Sequence, residues 1–323
     1  MREPELLHLA QVCVDLTLSV DHLPERGGDI FATNQAMSAG GGYNVLYAAR
    51  QMGARASYLG AVGTGPMADV ARKALSSIGV GIDGAQLPGI DTGYSIAMTE
   101  PDGERTFVST RGAETQVPED SYENIELVAG DVVYLSGYSF CHKKNAEAIR
   151  RFAAKNAGWS KGYVVFDTSP MIADIDDESL RSLRGLHPIW TMNERETAIL
   201  CSRFGVDAGC GDRDYAGQCR SLARYFGDPV IVRVGALGAW YCDGRDDRKQ
   251  NVIHIPALEV NAVDTNGAGD THAGVLCATL LESDDIVQAL KLANCAAGLS
   301  TRHTGPATCP SRSEIEAAAK RLH

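Results

Sequence analysis

Short runs rich in Val, Ile and Leu alternate along this chain with longer amphipathic stretches, and that alternation constrains the fold more than any other feature. It is the pattern of βαβ units, in which strands buried on both faces are joined by crossover helices around a mostly parallel sheet. The spacing predicts strands over 7–14, 56–62, 131–136, 163–167, 189–192 and 229–234. It predicts helices over 44–52, 68–78, 144–155, 194–203, 216–226 and 268–281, and a last one from Ser311. The class is α/β.

Two segments, 28–39 and 92–111, break the rhythm by alternating polar and apolar residues with no helix between. In the second, Tyr94, Ile96 and Met98 precede a Pro101-Asp102-Gly103 turn and Phe107 follows it, a hairpin pattern. Both excursions flank a glycine cluster, so they are expected to form a small β-sheet lid over the active site. The resulting division assigns 1–27, 45–90 and 112–323 to an α/β core and 28–44 and 91–111 to the lid.

With 323 residues, 44% of them apolar and a formal net charge of −11, the chain is built to bury a core and is a poor partner for nucleic acid phosphates. A small-molecule substrate is the better expectation. The N-terminal MREPELLHLA has no basic-then-apolar signal pattern, and no run of about 18 apolar residues offers a membrane span, so a cytoplasmic location is expected. Nine cysteines occur without a CxxC pair. Cys201, Cys210 and Cys219 recur every nine residues, a period that keeps one helix face, and they read as packed free thiols.

The chemistry concentrates in Val263-Asp264-Thr265-Asn266-Gly267-Ala268-Gly269-Asp270-Thr271, ahead of an apolar helix. Gly267, Ala268 and Gly269 are small enough for backbone N–H groups at a helix N-terminus to close on an anion. Asp270 lies in the first turn, where a carboxylate either caps the dipole or serves as a base. The segment Asp264-Thr265-x-Gly-Ala-Gly-Asp resembles the C-terminal signature of the ribokinase-type (PfkB) carbohydrate kinases. Ala39-Gly40-Gly41-Gly42-Tyr43-Asn44, followed by Gly53 and Gly63, is similar to that family's N-terminal signature, and the order of the two is the family's.

The resemblance implies a three-layer αβα core with a β lid, and a kinase that transfers the γ-phosphoryl group of Mg-ATP to a sugar or nucleoside hydroxyl. Residue by residue, it implies Asp270 as general base with Gly267, Ala268 and Gly269 as the anion hole. Asp15, ending the first strand, would hold the acceptor with Gly41, Gly42 and Asn44, and the lid residues Tyr94, Met98 and Arg111 would tune its choice. Asn193 and Glu196 match the Asn-x-x-Glu motif that organises magnesium and its waters. Arg233, Gly235 and Gly238 match the nucleotide loop, and Asn294 the helix walling the adenine. The resemblance further implies potassium held by backbone oxygens near Asp264, Asn266 and the segment 300–309, and the lid edges suggest a homodimer.

Departures from the pattern bear on the substrate. Leu46 and Val275 replace small residues, and Arg233 a hydroxyl or Lys. Cys13, Gly41 and Gly137 stand where ribokinases place an Asn, a Lys and a Glu on ribose. A roomier, less polar pocket is expected there, with free ribose ranked below other sugars and nucleosides. Gly63-Thr64-Gly65-Pro66-Met67-Ala68, with Asp83 beyond, imitates a dinucleotide fingerprint but is not on the first strand and carries Pro66 where pyrophosphate would approach. A Walker-type loop, H-E-x-x-H and G-x-S-x-G are all absent from the sequence. A non-catalytic sensor on the same fold is the reading of another class, and retention of Asp270, Asn193 and Glu196 speaks against it.

Overall fold

The computed structural model describes residues 2–206, 213–245 and 251–322. The strands are β1 (Leu6–His8), β2 (Val12–Ser19), β3 (Asn34–Gly41), β4 (Ala56–Tyr58), β5 (Gly81–Ile82), β6 (Tyr94–Thr99), β7 (Arg105–Ser109), β8 (Val132–Ser136), β9 (Tyr163–Asp167), β10 (Ile189–Asn193), β11 (Val230–Arg233), β12 (Ala239–Cys242) and β13 (Ile253–Ile255). The helices are α1 (Gly42–Gln51), α2 (Pro66–Ser77), α3 (Gly137–Phe140), α4 (Lys143–Lys155), α5 (Asp177–Leu183), α6 (Glu194–Phe204), α7 (Tyr215–Phe226), α8 (Ala268–Leu280), α9 (Ile286–Ser300) and α10 (Arg312–Ala319).

Among the described residues the large sheet runs β13-β12-β11-β10-β9-β8-β1-β4-β5. It is parallel from β5 to β11, with β12 and β13 antiparallel at one edge. Alternate side chains of its strands enter two separate cores. Leu6, Val132, Tyr134 and Val165 pack on one face, and Leu7, Val133, Leu135 and Phe166 on the other. Helices cover both, which is why β8 and β9 read as continuous apolar runs. Helix α8 lies between α1 and α9 and is buried from Thr271 to Leu280, so its sequence is apolar all round.

Chain order reverses at β1: β4 and β5 lie on one side of it, β8 to β11 on the other. In open parallel sheets that switch point, beyond the carboxyl ends of the strands, opens a crevice for ligands. The elements that follow β8, β9, β10 and β11 all start there.

The second sheet, β3-β2-β6-β7, pairs β2 antiparallel to β3 and parallel to β6, with β6 and β7 forming the expected hairpin. Here the sequence reading needs correction. The expected single strand over 7–14 is two strands in different sheets. Leu9 N–H still bonds Tyr134 O, but the Gln11 carbonyl accepts from Gly42 N–H and Val12 N–H donates to the Tyr58 hydroxyl, so the chain leaves the core sheet with its polar groups satisfied. The small sheet therefore includes residues 12–19, which the sequence assigned to the core, and residues 42–44 open α1 instead of closing the lid. The cysteine period also belongs to no single helix: Cys201 is buried in α6, Cys219 in α7, and Cys210 lies outside the described residues.

Candidate active site

Helix α8 begins at the switch point with Gly267 as its cap, in the left-handed region at φ 74°, where the Pro306 carbonyl leaves no room for a Cβ. The first-turn N–H groups have no partner within the helix, although Ala268 N–H reaches back to Thr265 O at 3.3 Å. Gly269 is exposed, and Asp270 is partly buried in the same turn. Asn44, buried in α1, donates from Nδ2 to Asp270 Oδ2 at 2.9 Å, leaving its own buried Oδ1 without a partner in the structure. Burial pushes the Asp270 carboxyl up to about 7, the Asn44 bond and the Arg233 charge oppose it, and the Asp167 and Asp15 charges add to it. A carboxylate poised near neutrality at a helix N-terminus is suited to taking a proton.

Beside it, Arg233 at the end of β11 forms the cationic wall. Its Nη1 donates to Gly269 O at 3.1 Å and lies 3.3 Å from Asp167 Oδ2, while Nη2 is 3.9 Å from Glu196 Oε2. Asp167, which sequence reading assigned no role, ends β9 at the switch point, where the position rule for parallel sheets would have flagged it. Asn193 and Glu196 form a reciprocal capping box on α6: Glu196 N–H donates to Asn193 Oδ1 at 2.9 Å, and Asn193 N–H donates to Glu196 Oε2 at 2.9 Å. Glu196 also accepts from Thr168 Oγ1 at 2.9 Å. Its carboxyl is buried and raised, by burial first and by Asp167 next, against the pull of Arg233.

Asp15, expected to hold the acceptor, lies inside β2 of the small sheet, not at the end of the first strand. Its carboxyl is pushed up to about 6 by burial. The glycine run makes room for side chains from elsewhere. A Cβ on Gly40 would collide with the Asp15 carboxylate, and one on Gly42 with the His8 ring. Gly41, exposed at φ 60°, caps α1, and its Cβ would stand 3.3 Å from Cys13 Sγ. A Cβ on Gly137 would collide with Thr168 O. The added room expected at Gly137 is therefore filled by backbone.

Strand register fixes which lid residues share the Asp15 face. Asp15 pairs with Ser95 and Ser95 with Ser109, so that face also carries Ala97, Phe107 and, at its far end, Arg105. Tyr94 pairs with Val14, and Met98 with Leu18, which places both on the opposite face. Tyr94 and Met98, expected to tune acceptor choice, therefore lie on the face opposite Asp15, and Phe107, 58% exposed, lies on the Asp15 face. Arg111 is exposed at the hairpin base near His142, whose imidazole is lowered by burial first and by the Arg111 charge next, and no carboxylate is paired with Arg111 among the described residues.

The remaining predicted positions lie in a turn after β11, on α9 and in the loop before α8. Gly235 and Gly238 bracket an exposed turn between β11 and β12. Asn294 Nδ2 donates to Ile255 O and Pro256 O, at 2.9 and 3.1 Å, and so fastens α9 to the end of β13 and the residue after it. Asp264 meets the 300–309 segment, where Thr301 O accepts from Val263 N–H and Asp264 N–H. The Asp264 carboxylate accepts from Asn266 N–H, Gly305 N–H and the Arg105 guanidinium.

A proton acceptor, a cation and a helix N-terminus converging at the switch point of a parallel sheet make the site of a phosphotransferase. The model described as "pfkB family carbohydrate kinase" matches residues 5–313, and the chain belongs to that family. It is 30% identical over 315 residues to the uncharacterized sugar kinase YegV of Escherichia coli, covering 96% of this chain and 92% of that one. It is 28% identical over 316 residues to an ATP-dependent ribose-1-phosphate kinase of Halopiger xanaduensis, covering 97% of each. Its fold superposes on Arabidopsis thaliana ribokinase complexed with ribose and ATP at a TM-score of 0.78, with 20% identity and 99% of both chains covered. The chain is a ribokinase-family sugar or nucleoside kinase.

Proposed function

We propose that the protein transfers the γ-phosphoryl group of Mg-ATP to a primary hydroxyl of a sugar, with Asp270 as the base. The observation that carries this reading is the Asp270 carboxylate at the first turn of α8, held by Asn44 and poised near pH 7. The acceptor oxygen forms a bond to the γ-phosphorus as the bond to the β-γ bridging oxygen breaks, ADP leaves with that oxygen, and the hydroxyl proton passes to Asp270. Asp15 orients the acceptor, and the buried Asn44 Oδ1, which has no partner, is left with an unmet acceptor beside Asp270. Gly267, Ala268, Gly269 and Arg233 stabilise the phosphoryl charge.

Magnesium would be held through water by Glu196 and Asp167. The donor set fits a water-mediated site: Glu196 is committed to its cap and Thr168, no cluster of three metal-ligating side chains occurs among the described residues, and this ion keeps most of its waters. When bound it neutralises polyphosphate charge. For potassium, the segments implied by the resemblance meet at Asp264, but Arg105 already brings a positive charge there.

A nucleoside acceptor is favoured by one observation, the exposed Phe107 ring on the Asp15 face, which can stack on a base. ADP release measured with ribose, ribose 1-phosphate, deoxyribose, fructose, 2-keto-3-deoxygluconate, adenosine, cytidine and pseudouridine tests both readings. No ADP release above the acceptor-free rate with any of them would favour a sensor. Homodimerisation through the small sheet is part of the same reading. Its outer strands β3 and β7 have one unpaired edge each among the described residues, and Met37, Phe107 and Val108 are more than half exposed there.

A further inference from the structure

The geometry points to Arg105 as a positioning residue that ties the lid hairpin to the anion-hole loop, so that the two move as one unit. The inference rests on the kinase reading above only for what the loop binds.

The hairpin β6–β7 is held at both ends. At its base, the buried Glu114 carboxylate accepts from Gly93 N–H at 2.6 Å and from Gly112 N–H at 3.0 Å, closing the two points where the chain enters and leaves the hairpin. At its far end, next to the turn, Arg105 Nη2 donates to Asp264 Oδ1 at 2.8 Å. The pair spans 159 residues of sequence, with the Asp264 side chain only 7% exposed and Arg105 29% exposed. Shielding of that kind sets it apart from a solvated surface ion pair.

Asp264 passes the contact on. The oxygen that receives Arg105 also accepts from Asn266 N–H at 2.9 Å, and its other oxygen accepts from Gly305 N–H at 3.0 Å. The carbonyl of Pro306, one residue beyond Gly305, packs against Gly267, the cap of α8. A single carboxylate thus joins the lid, the segment opening the anion hole and the segment bracing it. Because Asp15 and Arg105 lie on the same face of the small sheet, a ligand that settles that face against the core also loads this connection. A ligand ordering the loop must in turn act on the hairpin, since coupling between sites is reciprocal.

Amide hydrogen exchange of the whole chain, with and without Mg-ADP as the probe, tests this with Arg105→Gln and Arg105→Lys. In the wild type, Mg-ADP should slow exchange at 264–271 and also across 94–109, and Arg105→Gln should abolish the second effect while leaving the first. Without nucleotide, Arg105→Gln should speed exchange across 94–109 by about five- to tenfold, the low end of typical coupling. Arg105→Lys should restore part of both, which a packing defect would not. Equal exchange across 94–109 in Arg105→Gln and wild type, with and without Mg-ADP, would overturn the inference. If Mg-ADP protects no part of the wild type, the kinase reading fails, and the ligand-free comparison still decides whether the tie exists.

Discussion

The Asn44 amide and the Asp270 carboxylate, 226 residues apart in sequence, meet at 2.9 Å across the α1–α8 contact. The bond favours the ionised carboxylate, so it works against the burial that lifts Asp270 to about 7. The pH dependence of kcat/KM should therefore rise through about pH 7 as the free enzyme's base loses its proton. Asn44→Ala should move that limb to higher pH, with a deficit that is largest at pH 6 and smaller at pH 9. A limb that stays in place would show that the bond does not tune the base.

Asp270→Asn should bind nucleotide and lose roughly 10² to 10⁴ in kcat, the usual share of a general base. It should also alter stability in a defined direction. A carboxyl raised from 3.8 to about 7 binds its proton more tightly in the folded state, so wild-type stability falls as pH rises between those values and is level above them. The variant escapes that loss. At pH 8 it should be the more stable protein by on the order of 1 to 2 kcal/mol, less than the full shift because Asp270 is partly open to water, and the gap should close toward pH 4 in urea titrations.

Glu196→Gln separates two jobs of one side chain. Glutamine can still complete the capping box, so melting should change little, whereas Glu196→Ala should lose about 1 kcal/mol. Both should raise the magnesium concentration needed for half-maximal rate more than they raise acceptor KM. Unchanged magnesium dependence in Glu196→Gln would restrict the residue to its cap.

Arg111 has no paired carboxylate among the described residues and stands at the hairpin base close to His142. If it reads a negative group on the acceptor, Arg111→Ala should raise KM for ribose 1-phosphate or 2-keto-3-deoxygluconate about tenfold or more and leave neutral sugars and nucleosides unchanged. Equal effects on charged and neutral acceptors would limit its part to the structure of the hairpin base.

Light scattering at micromolar concentration should report a dimer. Lysine at Val108, exposed on the edge strand β7, should shift the population toward monomer without touching Asp270 or Arg233. A wild-type monomer would remove the proposed interface.

The α/β class, the hairpin and the start of α8 were legible because each is written locally, in apolar runs, in Pro101-Asp102-Gly103 and in Gly267-Ala268-Gly269. What escaped depends on partners far away in sequence. Nothing between Leu7 and Val14 marks a break, since Gln11 and Val12 leave the core only because Gly42 and Tyr58 receive them. Period-two alternation identified β6 as a strand, but only its pairing with β2 shows that Tyr94 and Met98 lie on the face opposite Asp15. The glycines at 40 and 42 were readable as a cluster and not as the spaces that Asp15 and His8 fill. Asp167 and Arg105 carry no motif, and they become visible only beside Arg233 and Asp264.

The two arms of the small sheet differ in how they could be engineered. The arm holding β2 and β3 runs from β1 into α1 and carries Asp15, so no excision there spares both that carboxylate and the entry to the core. The hairpin is another matter. Gly93 and Gly112 already touch, so closely that a Cβ on Gly112 would strike Gly93 N, and Glu114 grips both. Joining these two glycines directly would remove 94–111 without a linker. The shortened protein should keep its Asp15 and Asp270 while opening the acceptor site to bulk water, converting part of its ATP turnover from phosphorylation of the acceptor to hydrolysis.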